Sequence, residues 1–116
     1  MSSLRLEEKP VEFEGRSYVL RCNMAVLDAL QEAHGGDFAE VMQLSPQQAA
    51  PEILAAMLND YAEDMGWEER WTRRQVAKRV SYAQMLELDV LGLFTRGLVP
   101  ATAQDAQAQP GGDGGN

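Results

Sequence analysis

The fold class is decided by a stretch near the start of the chain, Val11-Glu-Phe-Glu-Gly-Arg-Ser-Tyr-Val-Leu-Arg21. Apolar and polar residues alternate on both sides of Glu14-Gly15, a pattern typical of two strands joined by a tight turn. With a two-residue loop, the strands form a hairpin whose core face carries Val11, Phe13, Tyr18 and Leu20. Because an isolated hairpin is marginal in water, we expect this one to pack on helices.

A short additional strand is predicted before the hairpin. Leu4 and Leu6 alternate with polar neighbours in the same way, upstream of Pro10. We therefore expect these residues to form a short edge strand.

Two short helices are predicted directly after the hairpin. Asn23 is an N-cap for a helix from Met24 to about Ala33, which ends at Gly35-Gly36. Asp37-Phe-Ala-Glu40 has the form of a capping box and starts the second helix. The apolar faces of the two helices carry Leu27, Leu30, Phe38, Val41 and Met42.

The strongest helical pattern runs from Glu52 to Met65 and is ended by Gly66. One face of this helix carries Ile53, Leu54, Met57, Leu58, Tyr61 and Met65. Just upstream, Ser45-Pro46-Gln47-Gln48 starts a turn with proline at the first helical position. Pro51 is expected to interrupt that turn or to restart it as a new helix.

Two further capping boxes start the last predicted helices, Thr72-Arg-Arg-Gln75 and Ser81-Tyr-Ala-Gln84. The second of these helices is expected to run without a break to about Gly97. Its predicted buried stripe is wide, since Leu88 and Leu91 add to Leu86, Val90, Leu93 and Phe94. A helix that is apolar over so much of its circumference either lies centrally or meets a partner.

These elements predict an α+β fold that is mostly α-helical, with the N-terminal β-hairpin packed on a small bundle of four to five helices. We expect one domain over residues 1–99. Residues 100–116 are rich in Ala, Gln, Gly and Asp and contain no aromatic residue. Such a segment cannot bury enough apolar surface to fold, so it is predicted to be a disordered tail.

Composition indicates a cytoplasmic protein. The formal net charge is −8, with 18 acidic against 10 basic residues among 116, which opposes non-specific binding to nucleic acid or to an anionic membrane. A single cysteine cannot form an internal disulfide. Residues 1–20 carry charges throughout, and no long apolar run occurs, so we expect neither a signal peptide nor a membrane partner.

Residues able to carry out catalysis or bind a metal are scarce. His34 and Cys22 are the only histidine and cysteine, so a nucleophile–base pair or a zinc site is not expected. His34 lies at the end of a predicted helix, where an imidazolium interacts favourably with the helix dipole. Glu63, Asp64, Glu68 and Glu69 are interpreted as a solvated acidic surface. We predict a protein that is not an enzyme and has no cofactor.

Charge is segregated in the second half of the chain. Residues 52–69 contain six acidic side chains and no basic one, and residues 70–79 contain five basic side chains and no acidic one. The two blocks are expected to pair within the fold or between copies, or to form an ordinary solvated surface. Trp67 and Trp71 either close the core or anchor an interface. The predicted protein interface comprises Trp67, Arg70, Trp71, Arg73, Arg74, Leu88, Leu91 and Phe94.

Residues 73–91 also permit a helix-turn-helix regulator as the alternative function. Ala77 lies where two helices would approach closely, and Ser81 follows at the turn. However, the would-be recognition helix presents Glu87 and Asp89 and has no Lys or Arg. Outside residues 70–79 the chain carries 18 acidic and 5 basic residues, a net charge of −13, so we do not expect nucleic acid as a partner.

The order of these elements resembles the small tail assembly chaperones of long-tailed bacteriophages (siphoviruses), prophages and gene transfer agents. The resemblance covers roughly residues 11–98. It rests on the hairpin at residues 11–20, the helix that follows from Asn23 to Gly35, and the long helix that starts Ile53-Leu-Ala-Ala-Met-Leu. Trp71-Thr-Arg-Arg-Gln-Val and the apolar helix ending Phe94-Thr-Arg-Gly-Leu98 complete it.

The resemblance implies a non-enzymatic role during virion assembly. Proteins of this type are thought to coat the long tape measure protein and to help recruit tail tube subunits, and they tend to self-associate. They act in the host cytoplasm and are absent from the finished tail. The family has no catalytic residues that would be transferred to this chain.

Overall fold

The computed structural model describes residues 6–98 and has the predicted α+β architecture, a two-stranded antiparallel hairpin packed on helices. The predicted tail at 100–116 and Leu4 lie outside the described residues. In chain order, the elements are β1 (Glu8–Phe13), β2 (Arg16–Arg21), α1 (Met24–Ala33), α2 (Phe38–Met42), α3 (Pro46–Met65), α4 (Arg73–Ala77), α5 (Tyr82–Leu88) and α6 (Val90–Leu98).

The hairpin has the predicted register, with Val11 opposite Tyr18. Both loop residues have positive φ, 51° at Glu14 and 78° at Gly15, as a turn that matches strand twist requires. Its core face is buried as predicted at Phe13, Tyr18 and Leu20, with Val11 half-buried. The expected extra strand is not formed by Leu6, which precedes β1 and is 44% exposed.

Helix α3 is the centre of the fold, since β2, α1, α4 and α6 all contact it. Its predicted face is buried at Ile53, Leu54, Met57 and Leu58, while Met65 at its end is exposed. In α1 the buried pair is Val26 and Leu30, and the predicted Leu27 is half-buried. The Asn23 side chain caps the amide of Val26 at 2.8 Å, which fixes where α1 begins.

Pro51 neither interrupts nor restarts a helix, contrary to the prediction, because α3 is continuous from Pro46 to Met65. Proline removes one backbone hydrogen bond near the helix start. A complete capping box between Ser45 and Gln48 satisfies the first turn. Buried side chains on both sides of Pro51, at Ala50 and Ile53, then stabilise the helix across it.

The predicted last helix is divided into α5 and α6 at Asp89, which has φ 54° and ψ 40°. The expected stripe is buried at Val90, Leu93 and Phe94, but Leu86 is 62% exposed. The prediction for Leu86 was wrong because the left-handed residue changes the direction of the chain. Helical periodicity therefore does not carry over from α6 to α5.

Candidate protein-binding groove

An open apolar groove lies between the start of α3 and the segment from α4 to α6. Its volume is about 260 Å³, just below the range for small-molecule pockets, ~300–1,000 Å³. The lining side chains are mostly apolar, and the larger ones are Pro46, Pro51, Val80, Tyr82, Met85, Leu86, Val90 and Leu91. An open groove of this composition is suited to apolar side chains of another polypeptide rather than to a polar substrate.

The α3 side of the groove is built from prolines for a local reason. Pro46 occupies the first helical position, where the missing N–H costs nothing. Pro51 lies in the next turn, and both rings line the groove beside Ala50. Rigid apolar rings on a capped helix start give this side a fixed shape.

Helix α5 forms the other side and is unusually exposed. Tyr82 is 68% and Leu86 62% exposed, although both are large apolar residues. The helix has no buried residue of its own. Met85 and Leu88 are half-buried against the core. The apolar surface of α5 is therefore largely uncovered in the described part of the chain.

Sequence reasoning identified Leu91 but missed Tyr82, Met85 and the prolines as parts of one groove. The available signal was the pair Tyr82 and Leu86, spaced four apart after the Ser81 cap. Spacing alone assigned Leu86 to the core, because nothing in the periodicity marks residue 89 as left-handed.

The two predicted interface tryptophans pack against the hairpin. The Trp71 indole N–H donates to the Tyr18 hydroxyl at 3.2 Å, and its ring meets Phe13 edge-on at 5.0 Å. Trp67 meets Tyr18 edge-on at 5.4 Å and is covered by the Arg16 guanidinium, 4.3 Å from the ring centroid. Both tryptophans are half-buried and close one side of the core.

The other predicted apolar interface residues differ in their exposure. Leu88 and Leu91 are half-buried, and Leu91 lines the groove. Phe94 is 5% exposed and contacts Phe38, with 6.4 Å between the ring centroids. Phe94 is thus a core residue and offers no surface to a partner in this conformation, because α6 directs it towards α2.

The acidic block 52–69 pairs with the hairpin and not with the basic block 70–79. Arg21 bonds Asp60 at 3.0 Å and also pairs with Asp64, and Arg16 lies 3.4 Å from Glu69. Asp60, Asp64 and Glu69 of the acidic block, the last two from the acidic surface predicted from sequence, therefore bind the two hairpin arginines.

Part of the basic block is left available. The Arg70 side chain donates to the Trp67 carbonyl at 2.6 Å, and Arg79 lies 3.9 Å from Glu14. Arg73, Arg74 and Lys78 are exposed and have no ion pair with any residue in 6–98. These three residues are the basic patch.

The one histidine and the one cysteine occupy structural environments. His34 Nε2 lies 2.5 Å from a Glu52 oxygen, and its Nδ1 lies 3.4 Å from Glu40. The hydrogen bond with Glu52 raises the pKa of His34. Cys22 is buried, and burial raises its pKa to about 11, so the thiol stays protonated and is a poor nucleophile.

Neither a metal site nor a membrane span is formed by the described residues. Within residues 6–98, no three His, Cys, Asp or Glu side chains are grouped so that they could hold a metal ion. In the same range, no helix has both the length and the apolar character needed to cross a bilayer.

The helix-turn-helix alternative corresponds to α4, a five-residue helix, followed by α5. The α5 helix carries no Lys or Arg, and its exposed side chains include Tyr82, Leu86 and Glu87. The basic patch lies on α4 and the turn after it. The helix in the recognition position, α5, therefore presents no cationic side chain to a base edge.

Fold and groove together define a small α+β domain with an uncovered apolar groove. No family model, curated protein or solved structure matches this chain.

Proposed function

We propose that this chain is a non-enzymatic chaperone that binds another polypeptide, specifically a phage tail assembly chaperone. Its clients are then the tape measure protein and the tail tube protein, and it acts in the bacterial cytoplasm. The observation that carries the proposal is the apolar groove, with Tyr82 68% and Leu86 62% exposed at its edge. The order of the elements resembles that of tail assembly chaperones, and this resemblance supports the proposed role in tail assembly.

Helix-in-groove recognition is the binding mode that this geometry favours. A rigid wall from α3 faces an adaptable wall from α5, so an amphipathic client helix would place apolar side chains between Pro51 and Leu86. Fully burying one leucine-sized side chain stabilises a complex by about 1.5–3 kcal/mol. Met85 in the lining adds a side chain that adapts to different clients.

Net charge supports the same role. The client of such a chaperone is long and apolar, and the complex must remain in solution. A chain with a formal charge of −8 contributes electrostatic repulsion between complexes. The basic patch at Arg73, Arg74 and Lys78 is a positively charged region on this acidic protein, and an acidic segment of a client or of a second copy would bind there.

The test is a co-expression and pull-down experiment with a tape measure protein of a siphovirus-type tail. Leu86→Asp places a charge at the groove edge and is expected to reduce client capture at least about tenfold, since 1.4 kcal/mol corresponds to a factor of ten. Ala83→Asp is the matched control, because residue 83 is an exposed position of α5 outside the groove lining. Equal capture by both variants would contradict the groove as the binding site.

Self-association is part of the proposal and has its own measurement. Sedimentation of the wild-type protein is expected to show oligomers whose stability decreases with salt if the basic patch takes part. Arg73→Glu combined with Arg74→Glu should then dissociate them. A strict monomer at high protein concentration would remove self-association from the proposal and leave client binding to be judged by the pull-down.

A further inference from the structure

The break between α5 and α6 lies at Asp89, a residue type that does not by itself force a helix to end. Asp89 is left-handed, with φ 54° and ψ 40°, although neither proline nor glycine stands at the break. Aspartate tolerates this region better than most residues, but the conformation is still unfavourable for an L-amino acid. The apolar pattern meanwhile continues across the break at Leu86, Val90 and Leu93, which one helical face would bring together.

The Asp89 side chain is paired at the bend. Arg96 Nη2 lies 3.1 Å from Asp89 Oδ2, and the same guanidinium pairs with both oxygens of Glu7 at 2.8 and 2.9 Å. Asp89 directly precedes α6, and its carbonyl accepts from the amide of Leu93 in that helix. The ion pair therefore holds the Asp89 carboxylate beside α6, while the left-handed backbone of Asp89 sets the direction of α5.

Two features distinguish the bend from a continuous helix. Lys9 Nζ donates to the Glu87 carbonyl at 2.9 Å, and in a continuous helix that carbonyl would accept from the amide of Leu91. A methyl group at Gly92 would lie 2.3 Å from an Asp89 carboxylate oxygen. Glycine at 92 therefore lets the carboxylate stay where Arg96 reaches it.

None of these contacts is buried. The side chains of Arg96, Asp89 and Glu7 are 41%, 52% and 52% exposed, and exposed ion pairs contribute little to stability. Helix α5 itself has no buried residue. An element with few buried apolar contacts is among the first to open locally.

We propose that Asp89 is a hinge between two states of this segment. In the bent state, which the structure describes, α5 forms one wall of the groove. In the straight state residues 82–98 form one helix, and Tyr82, Met85 and Leu86 leave their places opposite α3. The hinge assembles and dismantles the groove, so any ligand of the groove stabilises the bent state. The hinge does not depend on which polypeptide binds.

The decisive comparison is Asp89→Ala against Asp89→Gly. Both changes remove the carboxylate and its pair with Arg96. They differ in that glycine adopts positive φ without cost, whereas alanine disfavours it and favours a helix. The bent-to-straight ratio should therefore be smaller in Asp89→Ala than in Asp89→Gly by a factor on the order of ten or more.

The measurement is a pair of spin labels on the full chain, attached at Tyr82→Cys and Thr95→Cys, both exposed positions. Cys22 is buried and is not expected to be labelled. A straight helix places the two α-carbons roughly 20 Å apart, and any bend shortens this distance. Asp89→Ala should populate the long distance and Asp89→Gly the short one. One short distance in both variants would overturn the hinge.

Hydrogen exchange gives a second readout that simple destabilisation would not imitate. In the straight state the amides of residues 90–92 bond carbonyls of residues 86–88. Their exchange should slow in Asp89→Ala relative to Asp89→Gly, whereas a merely damaged helix would exchange faster. If Asp89→Ala fails to fold, Gly92→Ala replaces it, since a methyl group there crowds the Asp89 carboxylate of the bent state without changing residue 89. An unchanged short distance in this variant would likewise refute the proposal.

Discussion

Asp60 joins three elements through one carboxylate, and its removal is the most informative test of the fold. One oxygen of this side chain, Oδ2, accepts from Arg21 Nε at 3.0 Å and from Asn23 Nδ2 at 2.8 Å. The Asn23 amide oxygen in turn caps α1 at the Val26 amide. Asp60 therefore connects the end of β2, the start of α1 and the C-terminal half of α3.

The expected loss of stability follows from burial. The Asp60 side chain is 8% and the Arg21 side chain 14% exposed, so both hydrogen bonds lie largely out of water. A hydrogen bond to a charged group contributes about 1.5–3 kcal/mol. Arg21 keeps Asp64 in Asp60→Ala, which limits the penalty, and we expect a loss of about 3 kcal/mol. At ~4–8 °C per kcal/mol for a domain of this size, Tm should fall by roughly 12–24 °C.

Urea unfolding followed by circular dichroism measures this change. Asp64→Ala is the matched control, because Asp64 pairs with the same Arg21 but its side chain is 57% exposed. Such an exposed pair contributes ~0–1 kcal/mol. Equal losses in the two variants, or a loss in Asp60→Ala below about 0.5 kcal/mol, would refute the assignment of Asp60 as the central connection.

Three further outcomes are expected. The hydrogen bond with Glu52 raises the pKa of His34 in the folded state, so the stabilisation by protonated His34 is complete below pH 6.5 and is lost as the pH rises through the raised pKa. The urea midpoints of the wild type and of His34→Gln should therefore converge at alkaline pH. A difference that stays constant with pH would contradict this. Gly97→Ala would place a methyl group 2.7 Å from the Cys22 β-carbon and 2.9 Å from the Cys22 carbonyl oxygen. Although alanine favours a helix more than glycine does, this variant should lose about 1–3 kcal/mol of stability in urea unfolding. A more stable variant would show that α6 can shift away from Cys22. Trp71→Phe removes the donor to the Tyr18 hydroxyl and should lose at least about 1 kcal/mol, whereas an unchanged midpoint would show that this hydrogen bond contributes nothing.

Local signals predicted the fold well because each acts within a few residues. The Glu14-Gly15 turn sets the register of the hairpin, and the capping boxes predicted at Thr72 and Ser81 form as expected. At Asp37 the predicted box is incomplete, since the side chain caps only the amide of Ala39. Each of these contacts joins groups two or three residues apart or directly opposite each other. Their geometry is determined before the core is assembled, so sequence alone reveals them.

The groove could not be predicted in the same way, because it depends on contacts between distant residues. Asp89 adopts its left-handed conformation beside Arg96, which is itself paired with Glu7, 89 positions away along the chain. Lys9 reaches the Glu87 carbonyl across a similar separation. Periodicity treats residues 81–97 as one helix since it contains no information about such partners.

The exposure of α5 has a consequence for how folding and binding are related. Every other described element contributes buried apolar side chains to the core, whereas α5 contributes none. Met85 and Leu88 of α5 pack half-buried against the core. Tyr82 and Leu86 are mostly exposed, so this face can change with little effect on the free energy of unfolding. Since this exposed face is not needed for stability, its residues can be determined by what the surface binds. This separation makes Leu86→Asp a clean test of client capture, because a loss of binding would not reflect a loss of fold.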